Sequence, residues 1–339
     1  PLKPTPATQK NHGEKWPGGG RQYLTLIKAM KGQKRYVGLM LYKMDLFAEE
    51  MEKTAISRIQ RFAKIAESMR FDVCLGFSGG KDSQVCYDLC KHSGIKFKAY
   101  FNHSFESAVT LKFIRTYYPE VIWRRDHKFG FIENIWRNHK SMLPTVQRAY
   151  CCADYKYNRK YVDQCSIVGV RKAESVQRSK RTAFEARNKT ILRKNKALIN
   201  DYFEEHCQSV GTASTIQLKP IIDWTETSVW DYIKKYDLPV NPEYENISRV
   251  GCLVCPKSNF TRNYKSLLDH PKLIDAFILA REKRKDIDWI INGEKVDYSN
   301  DKPYYICRWL NHSFMPFSPK QNELYRLVRE RYDSMHSKR

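Results

Sequence analysis

Six consecutive residues, Ser78-Gly79-Gly80-Lys81-Asp82-Ser83, have the composition of a phosphate-binding loop. Gly79 and Gly80 let backbone N–H groups come close to anionic oxygens, Lys81 adds a cation, and the Ser78 and Ser83 hydroxyls can donate. The hexamer lies between an apolar run of strand length and a helical pattern, so a helix N-terminus adds its partial positive charge. Asp82, in the first helical turn, is placed to cap backbone donors or to help hold Mg2+.

Two cysteine pairs form a second candidate centre: Cys151-Cys152, and Cys252-Leu253-Val254-Cys255 about a hundred residues later. That spacing lets two loops meet around one metal. Four thiolates suit an iron–sulfur cluster or zinc. Side chains of adjacent cysteines diverge, which makes Cys151-Cys152 a poorer zinc chelate than Cys-x-x-Cys and favours the cluster, with zinc as the alternative. Gly251 and Pro256 frame a tight ligand loop. A third group, Arg171 and Arg178, follows the apolar run Cys165-Ser166-Ile167-Val168-Gly169-Val170. There the planar guanidinium fork suits phosphate or sulfate oxygens.

The elements that must hold these residues alternate. Apolar residues at three- and four-residue steps from Asp45 to Met69 predict a helix, and Phe71 to Phe77 predicts a strand. Val85, Cys86, Leu89 and Cys90 mark the next helix; Lys96 to Phe101, Val121 to Trp123 and the run from Cys165 predict further strands. Thr225 is placed to cap a helix through Ile233, and a basic helix follows Pro319. This is the pattern of an α/β fold, a doubly wound parallel sheet with helical N-terminal and C-terminal extensions. Residues 1–44 are expected to be a flexible basic arm, 45–260 the catalytic domain and 261–339 a basic helical extension. Trp224 and Trp230 are assigned to the core.

The chain has 339 residues, 42% of them hydrophobic, enough for one substantial domain. Sixty Lys and Arg against 37 Asp and Glu give a net charge of +23, which points to a polyanionic partner. The densest basic run covers residues 171–196, including Lys180, Arg181, Arg187, Lys189, Arg193 and Lys194; a second holds Arg281, Lys283, Arg284 and Lys285. Tyr155, Tyr157 and Tyr161 add aromatic groups. No apolar run reaches the roughly 20 residues of a membrane span, and the first residues lack a signal-peptide core. A soluble, cytoplasmic protein without a membrane partner is expected, its ten cysteines serving as metal or catalytic groups and buried thiols.

The hexamer matches the SGGKDS signature of the PP-loop ATP pyrophosphatase superfamily, and the resemblance extends over roughly residues 71–257. Tyr150-Cys151-Cys152-Ala153-Asp154-Tyr155-Lys156, the G-x-R-x-x-x-S-x-x-R stretch from Gly169 to Arg178, Lys219-Pro220 through Asn241-Pro242, and Gly251 to Cys255 stand in the order found in the cluster-containing adenylyl-sulfate reductases, within the branch that resembles the adenylyl-sulfate and phosphoadenylyl-sulfate (PAPS) reductases. The resemblance implies ATP as ligand with Mg2+, a 4Fe-4S cluster on Cys151, Cys152, Cys252 and Cys255, and nucleotide contacts from Arg171, Ser175 and Arg178. Together with Lys81 and Asp82, Arg171 and Arg178 form the expected catalytic set. The reductases end in an E-C-G-x-H motif. Here the one cysteine after Cys255 is Cys307, without those neighbours.

The same branch includes the ATP-pyrophosphatase subunits of DNA phosphorothioation systems, which work with a cysteine desulfurase, and the PP-loop also serves tRNA thiolases. Sulfur transfer to nucleic acid, to DNA before tRNA, is therefore the leading expectation, with a cysteine desulfurase or other sulfur donor as partner. Sulfonucleotide reduction is the alternative, and a non-catalytic nucleotide-binding regulator is the third. Cys165, Cys207 and Cys307 are candidate persulfide carriers.

Overall fold

The computed structural model describes residues 34–125, 128–145, 148–156, 165–186, 207–209, 216–283, 289–291, 294–296, 303, 306–307 and 318–337. The chain divides into two units, Pro1–Lys53 and Thr54–Arg339. Arg187, Lys189, Arg193 and Lys194 of the expected basic run, Tyr157, Tyr161, Arg284, Lys285 and the first 33 residues of the expected arm lie outside the described residues.

The helix expected from Asp45 begins earlier, as α1 (Lys34–Ser68). In the larger unit its Ala55, Ile59, Phe62, Ile65 and Ala66 fall on one face and are fully buried. It closes in a Schellman turn, with Phe71 N–H donating to Ala66 O and Arg70 at φ 57°. Then β1 (Val73–Gly76), α2 (Lys81–His92), β2 (Lys98–Asn102), α3 (Ala108–Tyr117) and β3 (Ile122–Arg124) alternate as predicted. α4 (Phe131–Asn138) and a π-helical turn, Cys152–Lys156, precede β4 (Cys165–Val168). A four-residue helix, α5 (Val176–Ser179), leads to β5 (Phe184–Ala186), followed by β6 (Cys207–Ser209) and β7 (Ile216–Leu218). α6 (Glu226–Lys235) starts where expected, the Thr225 side chain accepting from Ser228 N–H.

Seven strands form one sheet in the order β3-β2-β1-β4-β7-β5-β6. β1 pairs in parallel with β2 and β4, β2 with β3, and β4 with β7. The order turns back between β1 and β4, so the carboxyl ends of these two strands flank the crevice in which an open α/β sheet binds its ligand. The sheet is mixed rather than purely parallel, because β5 runs antiparallel to β7. A parallel crossover needs a dozen or more residues, usually helical, to carry the chain back to the other edge. After β4 the chain instead makes only short turns at the carboxyl edge, so β5 returns in the opposite sense. Phe184 on β5 meets Phe62 of α1 edge to face, with ring centroids 6.1 Å apart.

Two packing features fix the site. A Cβ on Gly169, just past β4, would lie 2.6 Å from Asp82 O and 3.0 Å from Ser83 N, so only glycine lets the strand end meet the first turn of α2. Beneath β5 and β7, the fully buried Lys219 pairs with Glu185 at 2.9 Å. Farther along, α7 (Phe260–Asp269), α8 (Lys272–Glu282) and α9 (Pro319–His336) share an apolar core with Ile135 of α4, Tyr155 and Val254. A separate two-stranded ribbon pairs β8 (Trp289–Ile291) with β9 (Glu294–Val296). Among the described residues, no helix is long and apolar enough to cross a membrane.

Two expectations follow. Gly169→Ala should lower unfolding stability by about 1–3 kcal/mol, as overpacked sites do, and weaken nucleotide binding, read by denaturant titration and ATP titration of one sample. Lys219→Ala leaves the buried Glu185 with only the exposed Arg181, 3.3 Å away, as its cation and should cost about 3 kcal/mol, the low end for a broken buried pair, whereas Lys219→Met with Glu185→Gln should cost clearly less in the same titration.

Candidate functional site

The hexamer forms the turn between β1 and α2. Gly79 takes φ +72°, and a Cβ there would sit 3.0 Å from the Ile114 side chain, so backbone conformation and space both call for glycine. Ser83 Oγ donates to Gly80 O at 2.8 Å and accepts from Ser78 N–H at 3.1 Å, closing the loop on itself. The fully buried Asn241 locks it from outside: its Nδ2 donates to Gly79 O at 3.0 Å and to Thr110 Oγ1 at 3.2 Å. Gly80 caps α2 without a side-chain bond, which leaves the helix N-terminus to other acceptors.

Lys81 is buried at this N-terminus. Its Nζ lies 3.6 Å from Asp82 Oδ2, 3.5 Å from Glu226 Oε1, 5.4 Å from the Tyr244 ring centroid and 5.8 Å from that of Trp230. Lys81 N–H donates to Tyr244 Oη at 2.8 Å. Burial raises the Tyr244 phenol above its ordinary pKa, so it stays neutral and keeps a proton to donate. Trp224 is buried, as expected, but Trp230 is half-buried beside Lys81 instead of lying in the core.

Arg171 is 3% exposed, and its Nε donates to Asp82 Oδ1 at 2.5 Å. Asp82 thus serves two cations, so its carboxylate is not a ready ligand for Mg2+. Arg171 N–H donates to Glu174 Oε1 at 3.0 Å, and Glu174 also takes Arg178. The Ser175 side chain caps α5 by accepting from Arg178 N–H at 3.3 Å. The arginines therefore stand at the carboxyl end of β4, across the crevice from the phosphate loop.

The cysteine loops converge above the end of β2. Asn102 Nδ2 donates to Lys156 O at 3.0 Å, anchoring the turn that carries Cys152, and Ser104 Oγ lies 3.4 Å from Cys252 Sγ. Asn263 clamps the second loop, its Oδ1 accepting from Cys255 N–H at 3.1 Å and its Nδ2 donating to Cys255 O at 3.0 Å. Arg262 Nη2 donates to Cys252 O at 3.1 Å. The thiols act on one another: a hydrogen bond from Cys151 lowers Cys152, aided by Lys257 and Lys156, and the same bond raises Cys151, with Cys252 and Cys255 adding to the rise. Burial alone would lower the Lys156 ammonium, but Cys252 and Glu106 more than offset it. Among the described residues, no three His, Cys, Asp or Glu side chains stand together as ligands of a single ion. The four half-buried free thiols, with two lysines and Arg262 around them, fit an anionic thiolate-ligated cluster by donor type and by charge. Cys165 and Cys307 are fully buried, and burial pushes the Cys165 thiol up to about 12, so neither suits an accessible persulfide.

The positioning residues Tyr244, Glu226 and Asn263 were not singled out in the sequence, and Lys156 and Asn241, which stand in the motifs quoted above, were given no role of their own. The capped start of α6 was visible, but neither its return to the loop nor the turn Pro242–Glu245 was.

Residues 72–258 match the family model described as the phosphoadenosine phosphosulfate reductase domain. Two uncharacterized proteins of Methanocaldococcus jannaschii are 26% and 28% identical over 80% and 69% of this chain, which spans 62% and 46% of their lengths. An adenosine 5'-phosphosulfate reductase of Staphylococcus haemolyticus is 45% identical over 42 residues, 12% of this chain and 17% of its own. Among solved structures, a phosphoadenylyl-sulfate reductase from Candida auris in a phosphate complex aligns with TM-score 0.40 and 15% identity, covering 60% of this chain and 93% of its own. A U34-tRNA thiolase from Methanococcus maripaludis with its [4Fe-4S] cluster aligns with TM-score 0.32 and 14% identity, over 68% of this chain and 78% of its own. The phosphate loop, the arginines of the β4 end and both cysteine pairs all fall within the matched 72–258, and the chain belongs to the phosphoadenosine phosphosulfate reductase domain family.

Proposed function

We propose that this chain is an ATP pyrophosphatase that activates an oxygen of a nucleic acid for replacement by sulfur, with a 4Fe-4S cluster held by Cys151, Cys152, Cys252 and Cys255. The observation that carries it is the placement of a complete phosphate loop at the end of β1 beside four thiols gathered over the end of the neighbouring β2.

In this reading the loop donors and Lys81 bind the β- and γ-phosphates and stabilise the charge that develops on the leaving pyrophosphate. Arg171, held by Asp82, steadies the α-phosphate while the acceptor oxygen attacks it, and Arg178 and Ser175 line the same edge. The terminal sulfur of a persulfide donor, such as a cysteine desulfurase, then displaces AMP to leave a disulfide between acceptor and donor, and a dithiol reductant cleaves that disulfide, leaving one sulfur on the acceptor and returning the donor thiol. A bound cluster would supply an iron site to carry sulfur; Lys156, Lys257 and Arg262 balance its charge. Mg2+ entering with ATP is assigned no side-chain ligand, because Asp82 is committed to Arg171 and Lys81. DNA is the preferred acceptor and tRNA the next. Adenylyl-sulfate reduction is the second reading, supported by the short stretches shared with adenosine 5'-phosphosulfate reductases.

Anaerobically purified protein should release pyrophosphate from ATP, faster with duplex DNA or tRNA present. Sulfite formed from adenylyl sulfate with a dithiol, without ATP cleavage, would instead establish the reductase. Lys81→Ala should reduce pyrophosphate release by about 10²-fold or more with the far-ultraviolet circular dichroism unchanged; undiminished turnover would remove Lys81 from the mechanism. Cys252→Ser should abolish the visible absorbance and iron content of the purified protein, and an unaltered spectrum would place any cluster elsewhere.

A further inference from the structure

β3 is an edge strand, and its carboxyl end lies on the same side of the sheet as the phosphate loop and the thiols. Cations stand over aromatic rings on both faces of that end. On one face the Arg115 and Arg125 guanidiniums lie 4.9 and 4.6 Å from the Trp123 ring centroid. On the other, Arg124 lies 3.6 Å from the centroid of Tyr100, diagonally across on β2. Arg115 and Arg125 are exposed, and among the described residues no carboxylate pairs with either.

A guanidinium stacked on a ring uses its face and keeps its in-plane N–H groups for other acceptors, with its rotamer already restricted. That arrangement suits phosphate oxygens. Adjacent strands lie about 4.8 Å apart, so the β3 end is roughly 10 Å from the phosphate loop, about three phosphate steps along one strand of B-form DNA. Asn102 and Ser104, which anchor the cysteine loops, lie between.

We infer that Arg115 from the last turn of α3 and Arg125 at the carboxyl end of β3, both stacked on Trp123, form the surface that grips the phosphodiester backbone of a nucleic acid and leads it across the thiols to the phosphate loop. The inference rests on the nucleic-acid reading proposed above and names the surface that serves it. The basic run 171–196 need not supply the grip.

The test is fluorescence anisotropy of the full chain with a labelled DNA duplex and a labelled RNA hairpin over a salt series. Arg115→Gln with Arg125→Gln should weaken binding of the preferred probe about tenfold or more at physiological salt and reduce the slope of log affinity against log salt by about two, one for each lost phosphate contact. Lys272→Gln with Lys320→Gln removes the same charge from exposed helical positions and should leave both values nearly unchanged. Arg115→Lys with Arg125→Lys keeps the charge and loses the fork, so affinity should drop several-fold while the slope is retained; this pair carries the test if the Gln pair does not fold. Unchanged affinity in both arginine variants, or equal loss in the lysine control, would overturn the surface and leave these arginines as guards of an open strand edge. Binding of neither probe by the unaltered chain would overturn the surface and the nucleic-acid reading together.

Discussion

The site depends on how closely the end of β4 approaches the first turn of α2. At Gly169 there is no room for a methyl group, because the Asp82 carbonyl and the Ser83 amide fill the space. That contact brings Arg171 within reach of Asp82 and presses the N-terminus of α2 into the crevice between β1 and β4. A guanidinium 3% exposed must find a counter-charge, since burying it alone costs several kcal/mol. Asp82 supplies the charge and is held in turn. The phosphate loop is therefore rigid for reasons that lie mostly outside it: a glycine on another strand, an arginine beyond it, and Asn241 and Tyr244 from a turn some 160 residues later.

Around the thiols the controlling quantity is charge. Thiolates held close together repel one another, and Lys156, Lys257 and Arg262 surround the four sulfurs while Glu106 ties Lys156 in place at 3.7 Å. Burial and attraction oppose each other at Lys156, and attraction wins. The Ser104 hydroxyl, which donates to Glu106 at 2.6 Å, brings the same network to Cys252. Below it, Val254, Tyr155 and the C-terminal helices form one apolar floor. Residues far beyond the family match thus support its cysteine loops.

Local features were legible in the sequence, and returns of the chain were not. Ser78 to Ser83 could be read because its chemistry and its strand–loop–helix setting are contiguous. The strands β1 to β4 could be read because each is a short run of apolar or alternating apolar and polar residues. The antiparallel β5 could not, since its direction depends on how little helix follows β4. Trp230 has the spacing of a core residue on α6; only the fold shows that this face looks toward Lys81. Tyr244 is one of 21 tyrosines, and nothing near it in the chain says that its hydroxyl accepts from a loop amide.

The distance between the two cysteine pairs along the chain bears on the order of events during folding. Cys252 and Cys255 are near neighbours in any conformation, so they can hold a metal even in an unfolded chain. The four-thiol set exists only once β1, β2 and β4 are in register and α7 has placed Asn263 against Cys255. Long-range closure of this kind comes late and slowly in parallel sheets. A group bound by all four thiols would therefore be the last part to arrive, and would raise the unfolding free energy by mass action because it recognises the folded chain alone.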